Sequence, residues 1–483
     1  MPMIRQQQRQ RTLTDFPDEL VLAILSNFEA IRSFGKTLYI QTEVHHQENQ
    51  QRIRCLASLC LTSRECKRFA QPLLYSALIV QSGRRYRLFT FARTLIENPS
   101  LARHIRYIKR TLSNESSWKK HMNDGFGDAD WEESIVPVLI ISAMNVWKSG
   151  KKDGVFEWET LLRRYSGEDA PLALVIALAT NLAQLDIAHR VWFPSAFWNV
   201  LGLTGNSPCV NDGFLQLRRL RDLAIHQCVQ YGSGSETPQS ITLHTSLPAL
   251  RSLHLHGQVI PELNTERVGP SPLPIFSQLR HVHLDFTYAA QADIVNVIRA
   301  CKALESFRCK WDRRGRRSLA HLPTLLLELS AHSQTLRYLF LINLFLEDYY
   351  HSGLPVPAIE SLTHFTSLKH LRLDDVALFG APRGMSPRPD EDGAYWRSNR
   401  PQPFSSRLPT SLESIELSCR FPIYEDTLAF GDFAHGCKQF PALEKMRILQ
   451  SYGKLTSDFL YLTQDFKVHG VEFEVVESSD PNA

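Results

Sequence analysis

Four histidines in two short strings are the residues whose type and spacing could bind a metal. In "HLH" the side chains of His254 and His256 lie on one side of an extended chain, about 6–7 Å apart, because successive strand residues alternate between two faces. "HVH" repeats the arrangement with His281 and His283. Zinc takes three or four protein ligands, and Asp285 is the one obvious further donor nearby. A polar surface explains such pairs without an ion, so we predict no metal site.

A basic cluster with one aromatic residue, "KWDRRGRRS", runs from Lys310 to Ser318. Arginines in such a cluster could clamp a phosphate or an acidic motif, because the guanidinium fork matches phosphoryl oxygens. A solvated loop explains the same residues without any ligand. A nucleic-acid interface is disfavoured, since the net charge of +4 is small for 483 residues.

The motifs that carry catalysis are missing from the sequence. It contains no GxSxG elbow, no GxxxxGK[ST] loop, no HExxH and no GxGxxG after a strand. The nine cysteines include no CxxC pair, which indicates free thiols in a reducing compartment instead of a disulfide framework or zinc site. We therefore predict a non-enzymatic protein with no catalytic residues and no cofactor, although a dispersed Ser/His/Asp set would leave no local signature.

One apolar pattern, L-x-x-L-x-L with other apolar residues allowed, recurs nine times at intervals of 25 to 44 residues. Its last four residues alternate as a strand does, and several stretches between the strings have helical character. A repeated strand and helix predicts parallel strands with helices on the outer side, an irregular α/β solenoid that resembles leucine-rich repeats. The strings begin at Leu182, Leu220, Leu250, Leu279, Leu304, Leu336, Leu368, Leu412 and Leu443.

Further strands and three loops complete the predicted solenoid. "SALIV" and "IRYIKRT", with a helical stretch between them, form a first degenerate repeat, and "VEFEVVE" forms a last edge strand. Stretches rich in Pro, Gly and Ser are predicted as loops. The third of them, at 380–407, carries Tyr395 and Trp396 and indicates a surface loop, with a binding lid as the alternative. The other two are "QYGSGSETPQS" and "PELNTERVGPSPLPI".

If the leucines of each strand point inward, the residues between them form an outward strand face. One column of that face then contains His254, His283, Arg308, Phe340 and Arg372, and flanking columns begin at His256 and His281. Arginine and aromatic side chains are enriched in interface hot spots, so we predict that a target protein binds here; an ordinary solvated sheet face is the alternative. The predicted target-binding residues are His254, His256, His281, His283, Arg308, Lys310, Tyr338, Phe340 and Arg372.

The first eighty residues predict two amphipathic helices. "FPDELVLAILSNF" places Leu20, Ile24 and Phe28 at intervals of four. "CLASLCLTSRECKRFAQPLLY" predicts a second helix that ends just before Pro72. The polar stretch between them, 32–51, is predicted as a loop. Helices this short cannot bury their apolar surface alone, so they pack either on the rest of the chain or on helices of a partner.

These two strings resemble the F-box, in the form found in the F-box proteins of filamentous fungi. The family pattern is Leu-Pro-x-Glu-Leu, an Ile-Leu pair, and then a Leu-Cys-Leu-Thr-Ser-Lys/Arg helix. Phe16 replaces the usual leucine, and the segment 32–51 is longer than the family's short turn. The matching residues are Pro17, Glu19, Leu20, Ile24, Leu25, Leu59, Cys60, Leu61, Thr62, Ser63, Arg64 and Phe69.

In that family the apolar helices dock on a Skp-family adaptor, which links to a cullin–RING ubiquitin ligase. The resemblance therefore implies that Pro17, Leu20, Ile24, Leu25 and Leu59 bind the adaptor or support the surface that does. It implies the substrate-recognition subunit of an SCF-type ligase, with an unknown protein substrate on the solenoid. A non-degradative scaffold protein that uses the repeats for assembly is the alternative.

The expected organisation is a disordered tail at 1–12, an F-box domain at 13–76 with an insertion at 32–51, a solenoid at 77–476 and a tail at 477–483. The start of the chain has no apolar segment typical of a secretory signal, and the longest apolar stretches are too short to span a bilayer. We therefore expect no membrane partner and a cytoplasmic or nuclear location.

Overall fold

A computed structural model divides the chain into two compact units, 1–228 and 229–483. Both units combine helices with parallel strands, so the predicted α/β class is confirmed. The predicted tail at 1–12, the cluster 312–318, Tyr395 and Trp396 lie outside the described residues. Those residues are 16–32, 34, 39–81, 85–111, 169–190, 217–228, 240–242, 247, 249–257, 260–262, 278–287, 291–311, 322–342, 359–374, 377–378, 404–419, 427–450 and 458–477.

Three helices begin the first unit: α1 (Asp18–Ser26), α2 (Tyr39–Thr62) and α3 (Arg64–Leu74). Both α1 and α2 pack against α3. The first turn of α1 carries Asp18 and Glu19, whose negative charge the helix dipole favours at that end. The two apolar strings of the sequence therefore lie on three helices: the first on α1, and the second on the end of α2 and on α3.

Three predictions for this region are wrong. The stretch 32–51, predicted as a loop, is helical from the start of α2, because it lacks Pro and Gly there and contains Gln and Glu, which are good helix formers. The predicted second helix is divided at Ser63, whose side chain caps the first turn of α3. Finally, α3 continues through Pro72 and ends two residues later at Leu74. The proline lacks only its own N–H, so it removes one hydrogen bond of the last turn.

Four strands of the first unit pair in parallel and in chain order. They contain the predicted first repeat and the first two apolar strings, so these strand predictions are confirmed. The strands are β1 (Ala77–Gln81), β2 (Tyr107–Thr111), β3 (Gln184–Arg190) and β4 (Asp222–Cys228). The helices of this sheet are α4 (Arg85–Glu97), the short α5 (Pro99–Ala102) and α6 (Asp169–Leu178), and a 3-10 turn lies at Leu217–Arg219.

Eight of the strands described in the second unit pair in parallel and in chain order in one sheet. The remaining seven strings and the last predicted edge strand all form strands here. They are β6 (Ser252–His256), β8 (His281–Thr287), β9 (Ser306–Trp311), β10 (Tyr338–Ile342), β11 (His370–Asp374), β12 (Ser414–Cys419), β13 (Lys445–Gln450) and β14 (Glu472–Glu477).

Two short strands depart from the loop predictions. β5 (Ser240–Thr242) and β7 (Ile260–Glu262) form a separate parallel pair at the ends of two stretches predicted as loops. Such three-residue strands leave no apolar period long enough to be read from a sequence. The connecting helices are α7 (Gln291–Ala300), α8 (Leu322–Leu329), α9 (Thr427–Gly436) and α10 (Asp458–Val468), with 3-10 turns at Ser330–His332, Phe404–Arg407 and Cys437–Gln439.

The core of the second unit consists of columns of inward strand residues. Each buried side chain contributes about 1.5–3 kcal/mol, so the strands stabilise one another only when they are stacked. Among the helices that the structure describes, none is both long and apolar enough to cross a membrane. One inward column contains Leu253, Val282, Phe307, Leu339, Leu371, Ile415, Met446 and Phe473.

Candidate protein-interaction surfaces

The inner side of α1 packs into a small helical core. Val21 and Leu25 are buried against Phe69 of α3, and Leu59 of α2 is half-buried at the edge of this cluster. Both Leu25 and Leu59 are predicted adaptor-binding residues. Because Leu25 is only 2% exposed, it supports α1 from behind and offers no surface to a partner.

The outer side of α1 is apolar and exposed. Leu20 and Ile24 are 52% and 45% exposed and lie one helical turn apart, and Phe16, which precedes the helix, is 40% exposed. These three residues are called the exposed stripe below. Pro17 beside them is also exposed. Sequence reasoning did not assign Phe16 to a binding surface, and its position before the helix leaves no helical spacing that could have indicated it.

Polar contacts hold α1 in place against its neighbours. The Arg68 guanidinium of α3 donates to both carboxylate oxygens of Asp18 at 3.0 Å. Asn49 lies in the predicted insertion, and its side chain bonds to the N–H and the carbonyl of Ile31 at 2.6 and 3.2 Å. Arg52 donates to two backbone carbonyls after α1 at 2.8 Å. The predicted insertion therefore helps to fix the orientation of α1.

The strand face of the second unit has the predicted register. His254 pairs with His283, and the column continues through Arg308, Phe340 and Arg372. The flanking column from His281 to His370 is also confirmed, as is that from His256 to Ile342. The structure thus brings the predicted target-binding residues into adjacent rows on one sheet.

Exposure separates these residues into two groups. Tyr338 is 38% exposed, and the histidines, Arg308, Phe340 and Arg372 are half-buried. Lys310 is only 6% exposed, so its prediction as a target-binding residue is wrong for this structure. Ile342 and Asp374 of the same row are also buried, whereas His256 and Asp285 are half-buried. On β10 and β11 the accessible part of the strand face therefore lies toward the start of the strands.

Ring stacking orders the exposed part of this face. The Tyr338 and His370 rings stack with centroids 4.4 Å apart, and those of His254 and His283 lie 4.1 Å apart. The His370 ring also has a polar contact, since its Nδ1 lies 2.7 Å from the Ser414 hydroxyl. Burial lowers the pKa of His370, and burial together with the Arg308 charge lowers that of His283 to about 3. Both imidazoles are therefore neutral at neutral pH.

Carboxylates on neighbouring strands take up the arginine charges of the face. Arg308 Nε lies 2.7 Å from Asp285, and Arg372 Nε lies 2.9 Å from Glu416. The ladder continues, since Arg447 approaches Glu416 and bonds to Glu474 at 2.8 Å. The predicted target-binding residues end at Arg372 and do not include this later part of the ladder. The signal was present in the same register position of the last three strands, occupied by Glu416, Arg447 and Glu474.

The strand face of the first unit carries a buried charge cluster that sequence reasoning missed. Asp186 accepts from Lys109 Nζ at 3.2 Å and lies 2.8 Å from His226 Nε2. All three side chains are less than 10% exposed. Burial alone would raise the pKa of Asp186, but the hydrogen bond and charge of His226, with Lys109, lower it. A substrate in solvent has no route to these groups, which argues for a structural role.

The described residues contain no group of three His, Cys, Asp or Glu side chains placed to hold a metal ion. Comparison with known proteins adds no further assignment: no protein-family model matches the sequence, and no curated protein is similar to it.

Proposed function

We propose that this protein is the substrate-recognition subunit of an SCF-type cullin–RING ubiquitin ligase. Its F-box-like helices would bind a Skp-family adaptor, and its leucine-rich-repeat-like solenoid would bind a target protein. The observation that carries the proposal is the exposed stripe, in which Leu20 and Ile24 lie on a helix whose other side is already packed and Phe16 lies just before that helix.

The exposed stripe has the properties of a docking surface for helices. Large apolar side chains left in water lose hydrophobic stabilisation that a partner can restore, at about 25 cal/mol per Å² of apolar surface buried. The ion pair of Arg68 with Asp18 and the contacts of Asn49 hold α1 in one orientation. A surface that is ordered before binding loses little conformational entropy when the partner arrives.

The strand face of the second unit supports a second binding surface in the same chain. Tyr338, stacked on His370, offers an exposed aromatic group beside half-buried Phe340. Aromatic residues in such a setting are frequent hot spots of protein interfaces. A receptor that holds a target and an adaptor together raises the effective concentration of target lysines near the ubiquitin-carrying enzyme.

Adaptor binding is tested with Leu20→Asp combined with Ile24→Asp. Two carboxylates in the exposed stripe should abolish capture of a recombinant Skp-family adaptor by the purified full chain, because charges would be desolvated at an apolar contact. The matched control is Leu327→Asp with Val468→Asp, two exposed apolar residues of the second unit. Undiminished capture by the stripe variant, with the fold intact, would remove the docking assignment.

Target binding is tested with Arg308→Glu combined with Tyr338→Ala. We expect this variant to keep the adaptor and lose target proteins in proximity labelling, since it reverses one charge and removes the exposed ring. Tyr461→Ala, at an exposed tyrosine of α10, is the control. Targets that accumulate when the proteasome is inhibited indicate the ligase receptor, whereas unchanged levels favour the scaffold alternative.

A further inference from the structure

A groove in the first unit lies outside both surfaces described above. It has a volume of about 520 Å³ and runs between α2 and α4, with strand β1 at its base. Ile53 of α2, Phe91 of α4 and Ile79 of β1 provide apolar walls, and Arg54 and Arg87 lie on opposite sides. Its size falls in the range of about 300–1,000 Å³ that is usual for ligand sites.

The base of the groove is the edge of a sheet. Among the described residues, β1 pairs with β2 and with no strand on its other side. The Tyr107 N–H donates to the Ser76 carbonyl at 3.1 Å. Alternate residues of a parallel strand direct their backbone N–H and carbonyl groups to the same neighbouring strand. Because the Ser76 carbonyl bonds to β2, the backbone groups of Leu78 and Val80 also point to β2. The N–H and carbonyl of Ile79 therefore point to the open side, along the groove.

The two arginines of the groove differ from their neighbours in charge pairing. Arg52 pairs with Glu48, and Arg93 pairs with Glu97 on the same two helices. Within the described part of the chain, neither Arg54 nor Arg87 forms an ion pair, and the groove lining contains no carboxylate. An apolar channel with two unpaired guanidinium groups and a strand edge is complementary to an extended, acidic peptide.

We propose that the groove binds an extended peptide segment of a partner protein, which adds a strand to β1 and places carboxylates on Arg54 and Arg87. Backbone hydrogen bonds to Ile79 supply affinity, and the apolar walls select alternate side chains of the peptide. The two guanidinium groups select acidic residues, because a guanidinium binds a carboxylate with two parallel hydrogen bonds. This inference does not depend on adaptor binding, which uses the exposed stripe.

The rival explanation is that the arginines protect an open sheet edge. Charged side chains at an edge strand discourage pairing between copies of a protein. The two explanations predict different losses. If the arginines only protect the edge, their removal promotes self-association and changes no peptide binding; if they recognise a ligand, their removal weakens the binding of acidic peptides.

The test is selection of a phage-displayed library of random linear peptides on the purified full chain. We expect enrichment of sequences that combine β-branched with acidic residues. Arg54→Gln with Arg87→Gln should lower the affinity for synthetic copies of the enriched peptides by roughly tenfold or more, as expected for the loss of hydrogen bonds to charged groups. Arg93→Gln with Arg103→Gln, the matched control outside the groove lining, should leave binding unchanged. Affinity is measured by fluorescence anisotropy.

Backbone pairing is tested separately on protein and peptide. Ile79→Pro removes an N–H that faces the groove, whereas Ile79→Val keeps it, so we expect loss of binding in the first variant alone. N-methylation of the peptide at successive positions should abolish binding at alternate residues, a test that needs no change to the protein. Failure to enrich any sequence, enrichment without acidic residues, or equal affinity for the Arg54→Gln, Arg87→Gln chain would overturn the proposal.

Discussion

In the first unit the outward strand residues Lys109 and Asp186 are sealed from solvent, whereas Tyr338, in an outward position of the second unit, is 38% exposed. Both sheets are parallel and pair their strands in chain order. The two faces therefore differ in solvent access although their strands are arranged alike. An outward strand position holds a buried charge pair in the first unit and an exposed aromatic ring in the second.

The two faces also treat charge differently. Asp186 of the first unit neutralises buried groups, and losing it would leave a cation in a low-dielectric site. Arg372 and Glu416 of the second unit pair at a partly hydrated surface, where an ion pair contributes little. The second face can therefore exchange its internal pairs for pairs with a partner at small cost, which the first face cannot do.

The largest expected effect on stability comes from removing Asp186 from the buried charge cluster of the first unit. Asp186→Ala should lower the free energy of unfolding by about 3–5 kcal/mol, because the buried Lys109 and His226 both lose the carboxylate that they contact. Urea unfolding followed by circular dichroism measures this. Lys109→Met combined with Asp186→Asn should regain most of the loss, since Met and Asn are close in volume to the residues they replace, need no counter-charge and leave an amide oxygen near His226. A single variant as stable as the parent would mean that the cluster is hydrated.

An intermediate effect concerns pH and the second face. The pKa of His283 is lowered to about 3, so the unfolded imidazole binds a proton below its ordinary pKa of about 6.5 while the folded one does not. Stability should therefore fall as pH falls from about 6.5, by up to about 2 kcal/mol at pH 5.

The pH dependence of stability, measured on variants, shows whether His283 causes this loss. His283→Gln should flatten this part of the profile, whereas His435→Gln, at an exposed histidine of α9, controls for loss of a histidine. Asp186 acts in the same direction at lower pH: its pKa is lowered, so its stabilisation is complete above about pH 4 and is lost as pH falls through the lowered value. A profile that His283→Gln leaves unchanged would contradict the neutral, buried imidazole.

The smallest expected effect is in the charge ladder. Glu416→Gln should lower the free energy of unfolding by no more than about 1 kcal/mol, because the pairs with Arg372 and Arg447 are partly exposed. The loss should shrink further in high salt, which screens surface charges. Thermal unfolding at two salt concentrations measures it. A loss as large as that of Asp186→Ala would remove the contrast between the two faces.

Strands were the most predictable part of the fold. Nine apolar strings between Leu182 and Leu443 all correspond to parallel strands, because inward leucines recur at the period of a strand. The columns from His254 to Arg372 followed from the same alternation. The helix over 39–51 was not predicted, since a polar helix has no apolar period and depends on tertiary contacts such as those of Asn49.

Exposure and pairing were the least predictable part of the candidate surfaces. Alternation places Lys310 on the outward face, but it cannot say that the Lys310 side chain is buried there. Lys109 and Asp186 are far apart in the chain, so their pairing can be predicted only when the register between β2 and β3 is known. On α1, the sequence indicated an apolar helix, and only packing against Phe69 separated inner from outer residues.

Strand alignment in the second unit is independent of the length of the connections. The strings at Leu279 and Leu304 start 25 residues apart and those at Leu368 and Leu412 start 44 apart, yet both strand pairs begin at equivalent positions. Added length is thus absorbed between strands without shifting the rows that they form. A peptide tag or a small reporter domain inserted between Leu378 and Phe404 should be tolerated, and this interval offers a practical site for labelling the protein in cells.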